Sequence, residues 1–470
     1  MNRPAARRTK IVCTVGPASS DPAMVEQMAW AGMDAARLNF SHGTADQHRA
    51  AIQAVRRTQD MIGRPLAIIA DLQGPKIRIG TLDAPVTVAA GGTMRLAATG
   101  EAGPGDLEVT FPELAGVVSV GSEILINDGM VRARVTAVDG HQVETRVEVG
   151  GVISSGKGIN LPGTPLPIPS LTDKDLEDLE FALREGVDYV ALSFVRSADD
   201  VADLCERIAA AGSFARVIAK IEKGEAIDDL EAIVAVSDAV MVARGDLGVE
   251  IGAADVPLVQ KLIIRTARDA GCTVITATQM LESMIHQPEP TRAEASDVAN
   301  AVLDGTSAVM LSGETAAGRY PLEAVAMMNR ICRAVEPSLT SHAVAHRDGE
   351  AMGRILAHAA CDIAEDLQAA VIAVPTQSGS TAREVSRFRP RRPVVAASPD
   401  PTVLQQLALD WAVVPIVIRE ADTLEELWRH TVDATVASGL VMPGESVVVT
   451  GGTRLNQPGS TDHIVVRVVE

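Results

Sequence analysis

Aromatic residues are nearly missing from this chain: Phe, Trp and Tyr make up 2% of its 470 residues. The core must therefore be built from Ala, Val, Ile and Leu, and stacking platforms for single-stranded nucleic acid are hard to find. Positive charge is short as well. The 42 basic residues face 61 acidic ones, a formal net charge of −19 at pH 7, which argues against a general grip on nucleic acid or an anionic membrane. A phosphate-bearing ligand must then be caught by local positive groups or by metal. Cys13, Cys205, Cys272, Cys332 and Cys361 stand far apart with no Cys-x-x-Cys pair, the pattern of reduced thiols in a cytosolic protein. No run approaches the ~18 uninterrupted apolar residues of a membrane span, and no apolar run before Lys10 reads as a secretory signal. The expectation is a soluble, cytoplasmic protein of two or three domains.

What the chain does have is a repeated pattern of short apolar runs that end in a polar turn. The clearest is Ala239-Val-Met-Val-Ala-Arg-Gly-Asp-Leu-Gly248, where a strand-like run stops at a small turn bearing a carboxylate. Eight such runs, separated by helix-like segments, are Ile11–Val15, Ala35–Leu38, Ala67–Ala70, Tyr189–Ser193, Val217–Ile221, Ala239–Val242, Thr273–Thr276 and Ala308–Leu311. Strands alternating with helices imply βαβ units and a parallel sheet. Eight units predict a closed (β/α)8 TIM barrel in the α/β class, with its site at the C-terminal strand ends. A large open doubly wound sheet is the alternative, but no Gly-x-Gly-x-x-Gly follows the first run.

The spacing breaks once. Residues 80–156 alternate Val, Thr and Arg between the turns Gly91-Gly92, Asn127-Asp128-Gly129 and Asp139-Gly140, which predicts an antiparallel β module, a small barrel. It returns through the proline-dense segment Leu161–Pro169, a strut suited to carrying a lid. From residue 350 an α/β pattern restarts, with runs Ala370–Val374, Val394–Ala397 and Ser446–Thr450. The predicted organisation is a catalytic barrel over 1–79 and 157–340, a lid over 80–156, and a C-terminal α/β domain over 350–470.

The strand ends supply Arg37, Asn39 and Ser41; Asp71, Lys76 and Arg78; Ser193; Lys220 with Glu222; Arg244 with Asp246; Thr278 with Gln279; and Ser312 with Glu314. Any one of these alone reads as a cap or a surface ion pair. Seven polar strand ends in succession read as one site. Glu222 and Asp246 end neighbouring strands and meet across the barrel mouth, an oxygen donor set suited to Mg²⁺ or Mn²⁺; the competing reading is that Glu222 pairs with Lys220 or Lys223. Arg37 and Arg78 add guanidinium forks for phosphate. The Arg244-Gly-Asp turn offers backbone N–H groups to a carboxylate, and Lys220 stands where it can neutralise a phosphoryl group in transfer. Together they describe a small substrate carrying carboxylate and phosphate on a divalent cation.

Three other motifs carry less. Gly151-Val-Ile-Ser-Ser-Gly-Lys-Gly158 falls short of a Walker A loop, because Gly158 replaces Ser/Thr and Asn160-Leu-Pro162 follows instead of a helix. Lys157 reads either as a nucleotide contact or as a solvated lysine. His342 and His346 have i, i+4 spacing without a His-Glu-x-x-His motif. Thr376, Ser378, Gly379, Ser380 and Thr381 read as a phosphate nest, with plain helix capping nearly as good a reading; Arg387, Arg389, Arg391, Arg392 and the Gly451–Arg454 loop favour an anionic effector, and the global charge argues against RNA as the arginines' partner.

The pieces Lys10–Pro17, Ala36–Gly43, Asp71–Arg78, Lys220-Ile-Glu222, Met241–Glu250, Ala277–Met284 and Met310–Thr315 closely resemble those of the pyruvate kinase family, and the likeness spans nearly the whole chain. The resemblance implies a barrel, a β lid and a regulatory C-terminal domain, arranged as a homotetramer. It also implies the last step of glycolysis: phosphoryl transfer from phosphoenolpyruvate to ADP, giving pyruvate and ATP. By the same resemblance Glu222 and Asp246 bind the divalent metal, with a second ion arriving on the nucleotide. Arg37 and Arg78 hold phosphate, Lys220 stabilises the transferring phosphoryl, and Thr278 sits near the enolate carbon. Ala243, Arg244 and Gly245 present backbone to the carboxylate, while Asn39, His42, Arg78 and Lys157 serve the nucleotide.

Many members of the family need K⁺ at positions matching Asn39, Ser41, Asp71 and the carbonyl of Leu72. They carry glutamate where this chain has Lys76, so the Lys76 ammonium is expected to stand in for K⁺. The stretch 376–381 matches the family's effector site, for a sugar phosphate or AMP. The rival readings are a Mg²⁺-dependent aldolase or lyase acting on pyruvate enolates, and a regulatory relative that has lost catalysis.

Overall fold

The computed structural model describes residues 7–339, 351–453 and 461–470; His342, His346 and Arg454 lie outside them. Each of the eight predicted runs is a strand, its bounds moved by one residue at most: β1 Lys10–Val15, β2 Ala35–Asn39, β3 Ala67–Asp71, β4 Tyr189–Leu192, β5 Arg216–Ile221, β6 Ala239–Ala243, β7 Thr273–Ala277 and β8 Ala308–Leu311. All pairs are parallel, and β1 bonds both β2 and β8. The sheet therefore closes into a barrel, and the open alternative is excluded. These strands are buried along nearly their whole length, which is why they read as continuous apolar runs rather than alternating ones.

One side of the strands packs inside the barrel, where Val12, Ile69, Tyr189, Ile218, Met241 and Ile275 form a cluster. The other side packs under the surrounding helices. Those helices start and stop where local chemistry directs. Thr44, Thr172 and Thr291 form capping boxes with Gln47, Asp175 and Glu294, and Gly63, Gly271 and Gly305 end helices in the left-handed region.

The module after β3 is a six-stranded sheet, in the order Ile159–Asn160, Glu123–Ile126, Val131–Asp139, Gln142–Val149, Thr93–Ala98, Leu107–Val109. The expectation of a wholly antiparallel module is corrected at one pair. Thr93–Ala98 and Leu107–Val109 run parallel, because the intervening loop doubles back and is pinned by Asp106, which pairs with Arg95 (2.9 Å) and accepts from Gln142 (2.8 Å). The outgoing chain bridges the two edges of this sheet: Ile79 donates to the Lys157 carbonyl, and Gly80 donates to that of Glu108.

The C-terminal region is a five-stranded sheet. It adds β9 Val371–Pro375, β10 Val394–Ser398, β11 Val413–Val417, β12 Ser446–Gly452 and β13 Thr461–Val468, ordered β11-β10-β9-β12-β13 with only the last pair antiparallel. Just before β11 the chain pushes Ala408 and Leu409 into the barrel-interior cluster, closing its N-terminal floor. The opposite end, at the strand C-termini, stays open beneath the β module. Among the described residues no helix is long and apolar enough to cross a membrane.

Candidate active site

At the open end, β2, β3 and β5 bring three charged groups together. Arg37 Nε lies 2.6 Å from Asp71 Oδ2, and its Nη1 donates to Thr14 Oγ1 at the end of β1 (3.0 Å). Lys220 Nζ lies 2.8 Å from Glu222 Oε1 and 3.2 Å from Asp71 Oδ1, and donates to Ser193 Oγ (2.7 Å). Ser193 in turn donates to the Leu72 carbonyl (2.7 Å). Burial works to lower Lys220, but the carboxylates of Asp71 and Glu222 hold it above the ordinary lysine range. Burial likewise works to raise Asp71, yet Arg37 and Lys220 keep it below the usual carboxylate range.

Glu222 is pushed up, first by burial and then by the charge of Asp246, with Lys220 opposing. One of its oxygens accepts from the Phe194 N–H (2.8 Å). The other faces Lys220, but not along a hydrogen-bond direction, and stays buried without a hydrogen-bond partner, as does Asp71 Oδ1. Glu222 thus pairs with Lys220, while Lys223 turns instead to Glu250 (2.7 Å). Glu222 Oε1 is thus buried with Lys220 as its ionic partner, and Asp246, close enough for its charge to act on Glu222, stands at the end of the neighbouring strand. That donor chemistry fits a hard divalent cation.

Asp246 rides on the helix Arg244–Ile251, which follows β6 without a loop. Its Gly245 N–H donates to Thr278 Oγ1 (2.8 Å). Thr278 and Gln279 both hold left-handed backbone, φ 66° and 52°, an unfavourable state for a β-branched residue that marks the end of β7 as constrained. The Arg244 guanidinium points away from the cluster, to Asp297 (2.7 Å) and the Thr278 carbonyl (2.7 Å). Arg78 also stays outside it, its Nη1 donating to the Gly156 carbonyl at the root of the β module (3.0 Å). Lys157 is exposed on that root.

Asn39 Oδ1 accepts from the Ser41 N–H (3.1 Å), and the His42 carbonyl meets His48 Nε2 (3.0 Å). Lys76 runs along the root, with its Cε 2.9 Å from where a Cβ on Gly158 would stand. Glu314 is buried and accepts the N–H groups of Leu281 and Ser312, so it ties the β7 and β8 turns together. Thr14 and the Lys223–Glu250 pair escaped the sequence reading. Thr14 carried a signal, a hydroxyl closing an apolar run; the pair carried none, since its partners lie on different elements.

Above β6, a cleft of about 590 Å³ opens between barrel and β module, lined by Arg132 and Asp128 on one side and by Gly245, Glu250 and Gln279 on the other.

The pyruvate kinase barrel domain matches residues 6–325, and the pyruvate kinase alpha/beta domain matches 354–467. The chain belongs to the pyruvate kinase family. Relatives include pyruvate kinase 2 of Synechocystis, 45% identical over 99% of this chain and 80% of the relative. The pyruvate kinase of Agrobacterium vitis is 45% identical over 97% of this chain and 98% of its own, and that of Mycobacterium tuberculosis is 46% identical over the same shares. Membership makes this an enzyme, a phosphotransferase.

In the family's α/beta domain, Thr376–Thr381 form a tight turn at the start of the helix Ser380–Arg387. Gly379 N donates to Thr376 Oγ1 (3.0 Å), Ser378 Oγ meets Ser380 Oγ (3.2 Å), and Thr381 bonds Thr461 (2.7 Å). The four nearby arginines do not gather there. Arg387 bonds the Asp269 carbonyl, Arg389 bonds the Gly305 carbonyl (2.7 Å), and Arg391 and Arg392 face Glu365. Two of them serve the contact with the barrel and two face a helix beside them, so the four do not form one cluster at this turn.

Proposed function

We propose that this chain transfers the phosphoryl group of phosphoenolpyruvate to ADP, yielding pyruvate and ATP. The observation that carries the reading is the buried, charged Lys220 between Asp71 and Glu222 at the barrel mouth. A terminal oxygen of ADP attacks the phosphorus, the bond from phosphorus to the enol oxygen breaks, and its electron pair stays on the enolate. Lys220 and Arg37 offset negative charge on the phosphoryl group as it moves, and a pre-placed donor of this kind supplies about 10²- to 10³-fold. Arg78 and Lys157, on the root of the β module, reach the phosphates as that module closes over the mouth like a lid and excludes water. Asn39 and His42 line the nucleotide side. The backbone of Ala243, Arg244 and Gly245 receives the substrate carboxylate, and Thr278 stands beside the carbon that takes a proton to become the pyruvate methyl.

Glu222 and Asp246 would hold Mg²⁺ or Mn²⁺, which supplies positive charge to the phosphate and the enolate oxygen. A second ion comes with the nucleotide. Lys76 supplies the charge that K⁺ provides elsewhere, beside Asn39, Ser41, Asp71 and the Leu72 carbonyl. Thr376, Ser378, Gly379, Ser380 and Thr381 bind the phosphate of a sugar-phosphate or AMP-type effector, in a cytoplasmic homotetramer.

The test is ADP-dependent pyruvate formation with Mg²⁺ in tetramethylammonium buffer, before and after adding KCl. Full activity before KCl supports both the kinase and the Lys76 assignment. Activity only after KCl keeps the kinase and discards Lys76. No activity in either, with effectors supplied, overturns the reading.

A further inference from the structure

The helix that carries Asp246 is poorly anchored by apolar contacts. Of its eight residues, Arg244 to Ile251, only Leu247 is buried, so polar contacts must set its position. Its first turn is held by Gly245 on Thr278 and by Arg244 on Asp297. Its last turn is held by Glu250, one turn beyond Asp246, whose Oε1 lies 2.7 Å from Lys223 Nζ. Lys223 directly follows Glu222, and both side chains of the pair are withdrawn from solvent, 8% and 2% exposed. The same Glu250 oxygen is reached by Asn160 Nδ2 (3.4 Å). Asn160 belongs to the β module's return strand, which pairs with Leu125 and Ile126. The pair also forms the wall between two spaces, with Lys223 lining a small cavity beside Lys76 and Phe194, and Glu250 lining the larger cleft at the mouth.

We propose that the Lys223–Glu250 ion pair is a positioning device that sets the spacing of Glu222 and Asp246 and, through Asn160, ties that spacing to the β module. A buried ion pair is a poor source of stability, since apolar residues of similar volume replace one at little or no loss. What they do not replace is a directional tether between two short segments. The proposal rests on the reading of Glu222 and Asp246 as a divalent-cation site.

The test measures Mn²⁺ binding to the full chain by electron paramagnetic resonance, without substrates, alongside steady-state turnover. The double variant Lys223→Met, Glu250→Leu is expected to fold, to bind Mn²⁺ about 10- to 100-fold more weakly, and to lose kcat by a similar factor. Glu250→Gln, which keeps volume and hydrogen bonding but not charge, is expected to fall between it and the parent. Asn160→Ala is expected to weaken Mn²⁺ binding by less than Glu250→Gln does, and parental Mn²⁺ affinity in it overturns the link through Asn160. Parental Mn²⁺ affinity and kcat in a folded double variant overturn the proposal. If the double variant does not fold, parental Mn²⁺ affinity in Glu250→Gln overturns it and weakened affinity supports it. A parent chain that neither binds Mn²⁺ nor forms pyruvate overturns the underlying site reading and the proposal with it.

Discussion

At the scale of single residues, the protein keeps charge in places where burial opposes it, and the consequences are measurable. Lys10 is buried against the C-terminal domain with its Nζ on the Val413 carbonyl (2.6 Å), and burial pushes it down to about 8. An unfolded lysine titrates near ~10.4. Between those values the unfolded chain holds a proton that the folded chain has released, so this group makes folding more favourable as pH rises through the window. Below 8 both states are charged, and the folded protein bears the full cost of the buried ammonium. Relative to Lys10→Met, the parent's melting temperature should therefore climb between pH 8 and 10.4 by calorimetry; a constant difference would refute the assignment.

The gathering of Lys220, Glu222 and Asp246 at one end of the barrel was legible because each closes an apolar run at the same end of a parallel sheet. The directions of Arg78 and Arg244 were not, because Gly156 and Asp297 are brought beside them only by folding. The directions of Arg387 and Arg389 were hidden for the same reason: an arginine cluster in sequence says nothing of which surface each one faces.

At the scale of elements, the junction after β3 is where barrel and β module meet the site. Gly74 has φ 68°, its N–H donates to Asp175 Oδ1 (3.0 Å), and a Cβ there would stand 2.9 Å from both Ser193 Cβ and Phe194 Cδ2. Gly74→Ala should cost about 1–3 kcal/mol from backbone strain alone. It should also lower kcat, by displacing the Ser193 hydroxyl that accepts from Lys220. Denaturant unfolding and turnover on the same sample check both; unchanged kcat would mean that Ser193 is not part of the arrangement.

The eight barrel strands were legible to within a residue because they are buried on both faces and bounded by turns. The parallel pair Thr93–Ala98 and Leu107–Val109 was not, since Asp106 sets it through contacts distant in sequence. β11 and β13 were missed for a related reason. Val413–Val417 is apolar but carries Pro415, which counts against a strand in sequence, and Thr461–Val468 is an edge strand with much of its surface exposed, its apolar residues broken by Asp462, His463 and Arg467.

At the scale of the whole molecule, the C-terminal domain is the floor of the catalytic barrel and not an appendage. Leu409 is fully buried in the barrel-interior cluster. Tyr189 bonds the Gln406 carbonyl (2.9 Å), Arg216 bonds Gln406 Oε1 (2.7 Å), and Asp410 meets Thr273 at the start of β7. Leu409→Ala should cost about 2–5 kcal/mol as a cavity that the barrel cannot fill. In calorimetry, melting of the barrel itself should shift down; a shift confined to a separate C-terminal transition would contradict this packing. The net charge of −19 leaves the barrel mouth to attract its anionic ligands by local cations.

That local arrangement is tested most directly by ADP-dependent pyruvate formation from phosphoenolpyruvate, comparing the parent with Lys220→Met. The account predicts a parent that turns over and a folded variant whose kcat falls by about 10²- to 10³-fold, while its dissociation constant for phosphoenolpyruvate changes far less. A variant with parental kcat would contradict it.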